Sequence, residues 1–487
     1  MLTELISILL IGAVLAWVGE SLQFQLPKWI ALATLLSAFY PLRQLLVELD
    51  TGSMQVWLVN ESIEWIPRFN IRFHLALDGL SLLLVLLTLL MGLIAVLAAW
   101  KEISYKPGFF YFNLLCSLAG VIGVFCALDL FLFFVFWEVM LVPMYLLIAV
   151  WGYENRRYAA MKFFLFTQAG GLIMLLSICA LVLLHYQNSG EITFNYFALM
   201  QHQLTEPAAF WVMLGFFIAF VIKLPIVPFH NWLPDAHTEA PTAVSVILAA
   251  VLLKTGGYGL LRFVLPMFPD ASVEIAPVVM AIAAISIIYG ALMAFSQQDL
   301  KRLVAYSSVS HMGFVLLGCY AFTAQAWQGA VLQMLAHGVS TAALFALVGA
   351  IQYRYHTRDL AQLGGLWQSI PKLSGMLLFF VVASLGMPGL GNFVAEFLVL
   401  VGSFSNYPKV TIMAATGLIL AAVYSLKIAH QTLFGTLKLK SSIDLDRREV
   451  LMMLSMVLLL LWLGLHPQPI IDLAQQSINQ LSTGAKL

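Results

Sequence analysis

Six ionisable side chains lie inside long apolar stretches of the 487-residue chain, where charge is costly. They are Glu138, Lys223, Lys254, His311, His337 and Glu396. A charge at the centre of a membrane helix costs at least about 2.5–3.5 kcal/mol, so such residues face a bundle interior or water, pair with one another and often mark an ion path. Imidazole suits a proton relay because its unperturbed pKa, about 6.5, lies near neutral pH. These residue types therefore predict proton transfer within the membrane.

Polar neighbours on the same helix face support a hydrated interior. His311, His337 and Lys254 each have a polar side chain four residues away, which places the two on one face. Those neighbours are Ser307, Gln333 and Tyr258, respectively. A static ion pair between Glu138 and a lysine is the simpler alternative, but one pair leaves the other titratable groups unexplained. Lys427 lies nearer the end of its span, so its stem is expected to snorkel to the interface.

The composition excludes several classes of protein. Hydrophobic residues make up 62% of the chain and charged residues only 10%, whereas a soluble domain carries about a quarter charged residues. The formal net charge is zero, so nothing indicates a nucleic-acid partner. The four cysteines form no CxxC pair, so neither a metal cluster nor a disulfide framework is indicated.

Uncharged apolar runs recur from end to end and predict an all-α polytopic membrane protein of about 14 transmembrane helices. The candidate spans are roughly 3–23, 28–48, 78–100, 108–127, 129–152, 158–186, 208–234, 242–264, 272–295, 301–320, 326–350, 374–405, 411–435 and 449–466. The first span lacks a basic n-region and a clear cleavage site, which predicts a retained helix rather than a signal peptide. The longest connection, residues 49–77, is expected to form a short hairpin or a surface helix.

The basic residues predict how the chain is oriented. Loops after odd-numbered spans hold 15 Lys and Arg residues, whereas loops after even-numbered spans and the termini hold 6. The six are Arg43, Arg68, Arg72, Arg262, Lys409 and Lys486, and the fifteen include Lys301 and Lys440. The positive-inside rule then places the odd-numbered loops in the cytoplasm and both termini outside.

Two of the spans carry helix-breaking sequences next to an ionisable residue. Pro225 and Pro228 follow Lys223 in the seventh span, and proline both lacks a backbone N–H and clashes with the preceding turn. In the twelfth span GMPGLGN, residues 386–392, precedes Glu396. Broken helices at membrane depth are tolerated only where the freed backbone groups are buried in protein or meet water. Two broken helices five spans apart predict two inverted repeats, which is typical of transporters.

Several longer motifs resemble one family, the antiporter-like membrane subunits of the proton-translocating NADH:quinone oxidoreductase, respiratory complex I. The motifs are WEVMLVPMYLLIAVWG, KLPIVPFHNWLPDAHTEAPTAVSVILAAVLLKTGGYGLLRF, QQDLKRLVAYSSVSHMGF, MLAHGVSTAALF and SLGMPGLGNFVAEF. The resemblance covers residues 78–435. It implies an N-terminal part at 1–107, one five-helix repeat at 108–264, an inverted second repeat at 272–435 and a C-terminal part at 436–487.

The resemblance also implies roles for the six residues. It makes Glu138 and Lys223 a pair, Lys254 the central relay, His311 and His337 its continuation, and Glu396 the exit-side group. The chain most resembles the M type for two reasons. It ends after the fourteenth span, and it has Glu396 at a position where the L and N types both have a lysine. Asp78 and Asp299 lie near span boundaries, where ordinary solvated or capping aspartates are expected.

For cofactors and partners, the resemblance implies that NADH, flavin mononucleotide, iron–sulfur clusters and quinone bind in other subunits and that this chain holds no cofactor or metal. The expected partners are the L- and N-type antiporter-like subunits on either side and the lipid bilayer of the bacterial inner membrane. The sequence leaves alternatives open. They are an Mrp-type cation/proton antiporter, a membrane-bound hydrogenase subunit, a photosynthetic relative, a membrane cytochrome with His311 and His337 as haem ligands, and a structural scaffold.

Overall fold

The computed structural model describes residues 1–43, 45, 56–201, 204–438 and 442–484, and helices dominate it. We number the helices in chain order: α1 Leu2–Leu22, α2 Leu26–Ser37, α3 Gly79–Glu102, α4 Pro107–Cys126, α5 Leu130–Trp151, α6 Arg156–Ser189, α7a Glu206–Lys223, α7b Trp232–Glu239, α8 Thr242–Met267, α9 Pro269–Ser296, α10 Leu300–Cys319, α11 Ala324–Tyr355, α12a Pro371–Ser384, α12b Gly391–Phe404, α13 Pro408–Thr432, α14 Arg447–Leu465 and α15 Gln468–Gly484. Three short helices, Pro67–Phe69, Tyr196–Met200 and Leu366–Ser369, lie in connections.

Eleven helices of the described residues are long and apolar enough to cross a membrane. The short α2, the more polar α10 and the divided α12 bring the number of spans to fourteen, as the sequence predicts. The predicted end of the second span, together with Lys440 and Lys486, lies outside the described residues. The long connection forms an antiparallel hairpin of β1, Val59–Ile66, and β2, Ile71–Leu77, which confirms the hairpin alternative.

Burial separates central helices from peripheral ones. The apolar segment of α8 is 100% buried and that of α11 is 94% buried, whereas those of α13 and α14 are only 39% and 28% buried. Lys254 lies on α8 and His337 on α11, so both occupy the centre of the bundle. Burying a polar side chain this deeply is costly unless it finds a partner, so their neighbours decide what they can do.

The seventh span breaks where the prolines predict. Helix α7a ends at Lys223 and α7b begins at Trp232, so eight residues, 224–231, separate the two parts. The indole N–H of Trp232 donates to the carbonyl of Ile222 at 2.9 Å, which satisfies one of the acceptors freed at the end of α7a. The N–H of Val227 donates to the hydroxyl of Ser286 on α9 at 3.1 Å. The break is therefore a hydrogen-bonded part of the protein interior.

The twelfth span breaks at the glycine-rich segment. Helix α12a ends at Ser384 and α12b begins at Gly391. Gly386 and Gly389 have φ angles of +84° and +93°, in the left-handed region that favours glycine. A Cβ atom on Gly386 would also lie 3.4 Å from Oε2 of Glu396, so the turn and the carboxylate are close.

Two further irregularities are not among the sequence-based predictions. Helix α5 is interrupted at Met140, between its parts Leu130–Val139 and Leu141–Trp151. Pro143 lacks the N–H that would bond back to the preceding turn, which accounts for the interruption next to Glu138. Helix α8 contains two π-helical stretches, Leu248–Leu252 and Leu260–Val264, on either side of Lys254.

At the outer end of α8, the assignment of Arg262 is wrong, and of the two alternatives for Asp78 only the capping one is confirmed. Arg262 is not a loop residue but lies inside α8, only 4% exposed, so the even-numbered count of basic residues falls to five (6 − 1). Asp78 is not solvated: it is fully buried, caps α3 by accepting from the N–H of Ser81 at 2.9 Å, and forms an ion pair with Arg262. Ser477 of α15 donates to the same carboxylate at 2.6 Å, so this pair ties α3, α8 and α15 together.

Outside the membrane, Asp446 stabilises the start of α14. Its side chain accepts from the N–H of Glu449, while the carboxylate of Glu449 accepts from the N–H of Asp446, which is a capping box. Burial alone would raise the pKa of Asp446, but hydrogen bonds from Lys101 and from the Glu449 N–H and the charge of Arg448 outweigh it and lower the pKa.

We expect Asp446→Ala to destabilise the protein by about 1 kcal/mol, which is typical of a lost N-cap. Asp446→Asn keeps the cap and should lose only the ion pairs with Lys101 and Arg448. Because the pKa of the folded state is lowered, the electrostatic part is present above the unfolded-state pKa, about 3.9, and is lost as the pH falls through the folded pKa. Thermal unfolding of the purified complex checks this: the deficit of Asp446→Asn should be constant between pH 6 and 8, and a deficit that grows with pH in that window would contradict it.

Candidate functional site

The structure arranges the six predicted residues in two groups. Glu138 and Lys223 lie together at the interruption of α5 and the break of α7. The other four form a second group on α8, α10, α11 and α12b. Lys223, Lys254, His311, His337 and Glu396 are each at most 2% exposed, whereas Glu138 is half-buried.

Glu138 lies against α6 at Gly171, where the helix carries no side chain. A Cβ atom on Gly171 would come within 2.5 Å of Oε1 of Glu138, so only glycine leaves space for the carboxylate there. Gln168, one turn before it on α6, hydrogen-bonds to the same side chain. The local sequence thus builds a small polar niche between α5 and α6 for one carboxylate.

Lys223 is the last residue of α7a, where the partial negative charge of the helix C-terminus favours a cation. Its Nζ has no hydrogen-bond partner among the described residues. It lies 5.2 Å from the ring centre of Trp137 and 5.6 Å from that of Phe163, within range of cation–π attraction. Glu138 attracts Lys223 through space, but the two are not joined by an ion pair within 4.0 Å. The pair is open, and a modest movement of either helix would change its energy strongly because it is buried.

Lys254 is fully buried at the middle of α8 and is held by two acceptors. Its Nζ donates to the carbonyl of Ala249 at 2.5 Å and lies 2.7 Å from Nδ1 of His337 on α11. Ala249 belongs to the first π-helical stretch, and such stretches are frequent at functional sites because they disturb the regular hydrogen-bond ladder. The irregular backbone therefore supplies an acceptor for the lysine.

The row of neighbouring side chains continues from His337 to His311. The two rings lie 5.4 Å apart between their centres at an angle of 59°. Nε2 of His337 has no hydrogen-bond partner among the described residues, so this nitrogen is able to accept or release a proton. Lys254, His337 and His311 come from three different helices, and only their packing brings them into sequence.

His311 is contacted on both ring nitrogens. Nδ1 lies 2.8 Å from Oε1 of Glu396, and Nε2 lies 3.2 Å from the hydroxyl of Ser384 and 3.1 Å from that of Tyr424. The side-chain amide of Gln333 donates to the same Oε1 at 2.9 Å. Oε2 of Glu396 has no partner among the described residues and faces the break of α12. The second group thus ends in a carboxylate oxygen at a broken helix.

This arrangement is able to pass protons between neighbouring bases and acids. It offers a lysine, two imidazoles and a carboxylate in hydrogen-bonding or near-contact order, and histidine is the side chain that most readily changes protonation near neutral pH. The same contacts disfavour the haem alternative, since Nδ1 and Nε2 of His311 and Nδ1 of His337 are already engaged by other side chains. Among the described residues, no group of three or more His, Cys, Asp or Glu side chains is arranged to hold a metal ion.

Sequence reasoning missed two buried groups on the side of the odd-numbered loops. His237 of α7b is fully buried, stacks on Phe345 with ring centres 4.4 Å apart, and neither ring nitrogen has a partner among the described residues. Lys301 was assigned to a loop, but it lies in the first turn of α10 and is 1% exposed. One sequence signal could have corrected this: Asp299, an N-cap residue, immediately precedes the apolar run that begins at Leu300.

Two other expectations are confirmed. Asp299 caps α10 by accepting from the N–H of Arg302 at 2.9 Å and pairs with Arg358. Lys427 reaches the end of α9, where its Nζ donates to the carbonyls of Phe295 and Gln297 at 2.6 and 2.7 Å. Neither residue joins the buried path.

Comparison with known proteins shows the family to which the chain belongs. A family model described as "NADH:quinone oxidoreductase/Mrp antiporter, TM" matches residues 127–422. NADH-quinone oxidoreductase subunit M of Escherichia coli K12 is 50% identical, with 99% of this chain and 97% of the relative covered. The protein of the same name from Pseudomonas aeruginosa is 51% identical, with 98% and 96% covered.

Solved structures give the same result. A chain in respiratory complex I from Thermus thermophilus with bound NADH is 32% identical, with a TM-score of 0.89 and 100% and 99% of the two chains covered. A chain of the Mrp complex from Dietzia sp. has a TM-score of 0.86 over 99% and 97% of the two chains, but at 22% identity this likeness shows the fold alone. The chain therefore belongs to the NADH:quinone oxidoreductase and Mrp antiporter family of membrane subunits, and within it to the group of NADH-quinone oxidoreductase M subunits.

Proposed function

We propose that this subunit of complex I carries one proton path, in which Glu138 and Lys223 form the switch and Lys254, His337, His311 and Glu396 form the relay. The contact that carries the proposal is the 2.7 Å approach of Lys254 Nζ to Nδ1 of His337, at the centre of the bundle. A fully buried ammonium beside an imidazole is a costly arrangement for a purely structural role. It becomes useful if the shared proton moves.

The open pair supplies a means of control. When Glu138 approaches Lys223, the carboxylate favours the protonated lysine; when it withdraws, burial favours the neutral lysine. The interruption of α5 at Met140 and the break of α7 give both residues backbone that is able to move without breaking a continuous helix. Energy from electron transfer in other subunits would then be delivered as a small displacement of these two segments.

From Lys254 onward, each step passes one proton between adjacent groups. A proton leaves Lys254 Nζ for Nδ1 of His337, and a proton on Nε2 of His337 passes to the ring of His311. Glu396 receives a proton from Nδ1 of His311 and releases it from the break of α12. Each transfer breaks one N–H bond and forms one N–H or O–H bond, so the relay needs no redox partner within this chain.

Orientation, location and partners complete the proposal. The excess of basic residues on the odd-numbered loops supports a cytoplasmic position for those loops and periplasmic termini in a bacterial inner membrane. We propose that the L- and N-type antiporter-like subunits flank this chain and that NADH, flavin mononucleotide, iron–sulfur clusters and quinone bind in other subunits. The lysines favour H⁺ over Na⁺ as the ion, since a protonated amine cannot ligate Na⁺. The two inverted repeats, residues 108–264 and 272–435, would place the two broken helices on opposite halves of the path.

Inverted membrane vesicles that contain the assembled complex test the switch. We expect Glu138→Gln and Lys223→Ala each to lower NADH-driven quinone reduction and formation of a pH gradient at least roughly tenfold, since a positioned acid–base group contributes about 10²–10⁴-fold. Both activities are followed side by side, and immunoblotting and native gels confirm that the complex is assembled.

Glu154→Gln and Lys106→Ala are matched controls, because both residues are exposed on odd-numbered loops away from the path. They should leave both activities within twofold of the wild type. Unchanged turnover and pumping in the assembled Glu138→Gln and Lys223→Ala complexes would show that the pair is structural and would reject the proposed switch.

A further inference from the structure

A cavity of about 680 Å³ opens on the face of the odd-numbered loops, among the ends of α3, α5, α11 and α14. Its lining combines charged groups, among them Lys101, Glu102, Arg156 and Arg448, with Thr242, the first residue of α8. Since a water molecule occupies about 30 Å³ of liquid, a cavity of this size that is lined in part by charged groups has room for a cluster of waters. It reaches the same helix that carries Lys254.

Glu102 forms the floor of this cavity at the beginning of α8. Its carboxylate accepts from the N–H of Thr242 at 3.1 Å and from the Thr242 hydroxyl at 3.1 Å, and the hydroxyl of Tyr153 donates to it at 3.3 Å. The acid is thus fixed at the N-terminus of α8, where the helix dipole favours a carboxylate. It is half-buried, so it contacts both the cavity and the protein interior.

Lys301 lies directly behind Tyr153. Its Nζ is 5.2 Å from the centre of the Tyr153 ring and donates to the carbonyl of Ala240, at the end of α7b. No ion pair within 4.0 Å neutralises it among the described residues; Glu102, Asp299 and Glu239 act on it from further away. An ammonium group has three donors and only one of them is used here. Burying a lysine until it is only 1% exposed costs considerable free energy if its only role is to donate to one carbonyl.

His237 connects this region to the relay. It lies three residues before Ala240, to which Lys301 is bonded, and it interacts electrostatically with both Lys301 and Lys254. Both of its ring nitrogens lack partners among the described residues. A buried imidazole within electrostatic range of two buried lysines is able to take a proton from one and give it to the other.

We propose that Glu102 and Lys301 form a proton inlet that leads from this cavity through His237 to Lys254, separate from the Glu138–Lys223 pair. This inference rests on the proposed function. Glu102 or water in the cavity supplies a proton to neutral Lys301, Lys301 passes one to His237, and His237 passes one to Lys254. Each step exchanges one O–H or N–H bond for one N–H bond. The inlet gives the central lysine its own access to the solvent.

The structural alternative is that Lys301 is only a fixed cation that caps α7b. Arg358 is the neighbouring example, since its guanidinium donates to the carbonyl of Thr238 at 2.7 Å and also lies over the Tyr153 ring. An arginine retains charge and donors but does not release its proton at physiological pH. Substitution by arginine therefore separates a cap from a relay.

The first experiment measures proton pumping and NADH-driven quinone reduction in vesicles that contain the assembled complex. We expect Lys301→Arg and Lys301→Gln to reduce both at least fivefold, and the control Arg358→Lys to keep both within twofold of the wild type. If Lys301→Arg pumps like the wild type, Lys301 is a cap and the inlet is rejected. If Lys301→Arg does not assemble, Glu102→Gln, an isosteric change of the acid, decides instead: it should reduce pumping at least threefold, and wild-type pumping in assembled Glu102→Gln complex rejects the inlet.

The second experiment tests access to the cavity. Ala350→Cys, on its wall, is treated with a membrane-impermeant, negatively charged thiol reagent added to inverted vesicles, whose outer surface is the cytoplasmic one. We expect rapid labelling and at least a threefold loss of pumping, and neither in the wild type. Absence of labelling, as when lipid fills the cavity, rejects a water-filled inlet.

The two proposals fail in different ways. If Glu138→Gln and Lys223→Ala have no effect while Lys301→Arg does, the proposed switch fails and the inlet remains; the opposite pattern rejects only the inlet.

Discussion

Replacement of Lys254 by methionine is expected to produce the largest loss in this subunit, at least roughly tenfold in both proton pumping and NADH-driven quinone reduction. Methionine has a similar length and fits an apolar site, but it carries no proton and no donor. The substitution leaves Nδ1 of His337 and the carbonyl of Ala249 without the donor they have in the wild type. Each unsatisfied buried group costs about 1–3 kcal/mol, so a lower thermal stability should accompany the loss of activity.

Activity and stability are separated by measuring both on complex that immunoblotting shows to be assembled. Lys427→Met is the matched control, because this lysine also donates to two backbone carbonyls but lies at the end of a span, outside the path. It should lower stability without affecting the ratio of protons pumped to NADH oxidised. If Lys254→Met lowers only stability, as Lys427→Met does, Lys254 is a structural residue.

Replacement of Glu396 by glutamine is expected to give the second largest effect, a loss of pumping of at least roughly tenfold with the complex assembled. The substitution is nearly isosteric, so the packing around the break of α12 is retained. The amide oxygen is still able to accept from Gln333, but the amide cannot take up the proton that Nδ1 of His311 releases across 2.8 Å. Pumping and quinone reduction are measured together over pH 6–8.

Gln333→Leu distinguishes proton transfer from local packing at the same site. Gln333→Leu removes one hydrogen bond to Glu396 but leaves the acid and the imidazole in contact, so it should cost no more than a few-fold in pumping. A loss with Glu396→Gln that is no larger than the loss with Gln333→Leu would contradict a proton-carrying role for Glu396.

The sequence was sufficient for the features that depend on local chemistry. Charges in apolar runs identified Lys254 and His337, and prolines and glycines located the breaks after Lys223 and at residues 386–392. Recurrent apolar runs predicted the span count, and the hairpin was one of two alternatives for the long connection. Pro143 carried the signal for the interruption of α5, but a proline within a long apolar run does not by itself specify where the helix bends.

The sequence was not sufficient for features that depend on packing between distant segments. Lys254 and His337 are 83 residues apart, and His311 and Glu396 are 85 apart, so their contacts follow from the assembly of four helices. Arg262 and Lys301 were misplaced for the same reason: each lies near a span boundary, where local sequence does not show whether a cation finds a buried acceptor. The π-helical stretches of α8 have no comparable signature in residue type.

The positions of the relay residues along their helices bear on how the membrane voltage acts on the protein. Lys254, His337 and His311 lie near the middle of α8, α11 and α10, so the line through them runs along the membrane plane rather than across it. Moving one elementary charge across the whole membrane against 100 mV requires about 2.3 kcal/mol, but moving it parallel to the plane requires almost none. In the proposed relay, the work against the electric field is therefore confined to the segments that connect this line to the two membrane surfaces. Substitutions in those segments, rather than among the central residues, should change how steeply turnover depends on voltage.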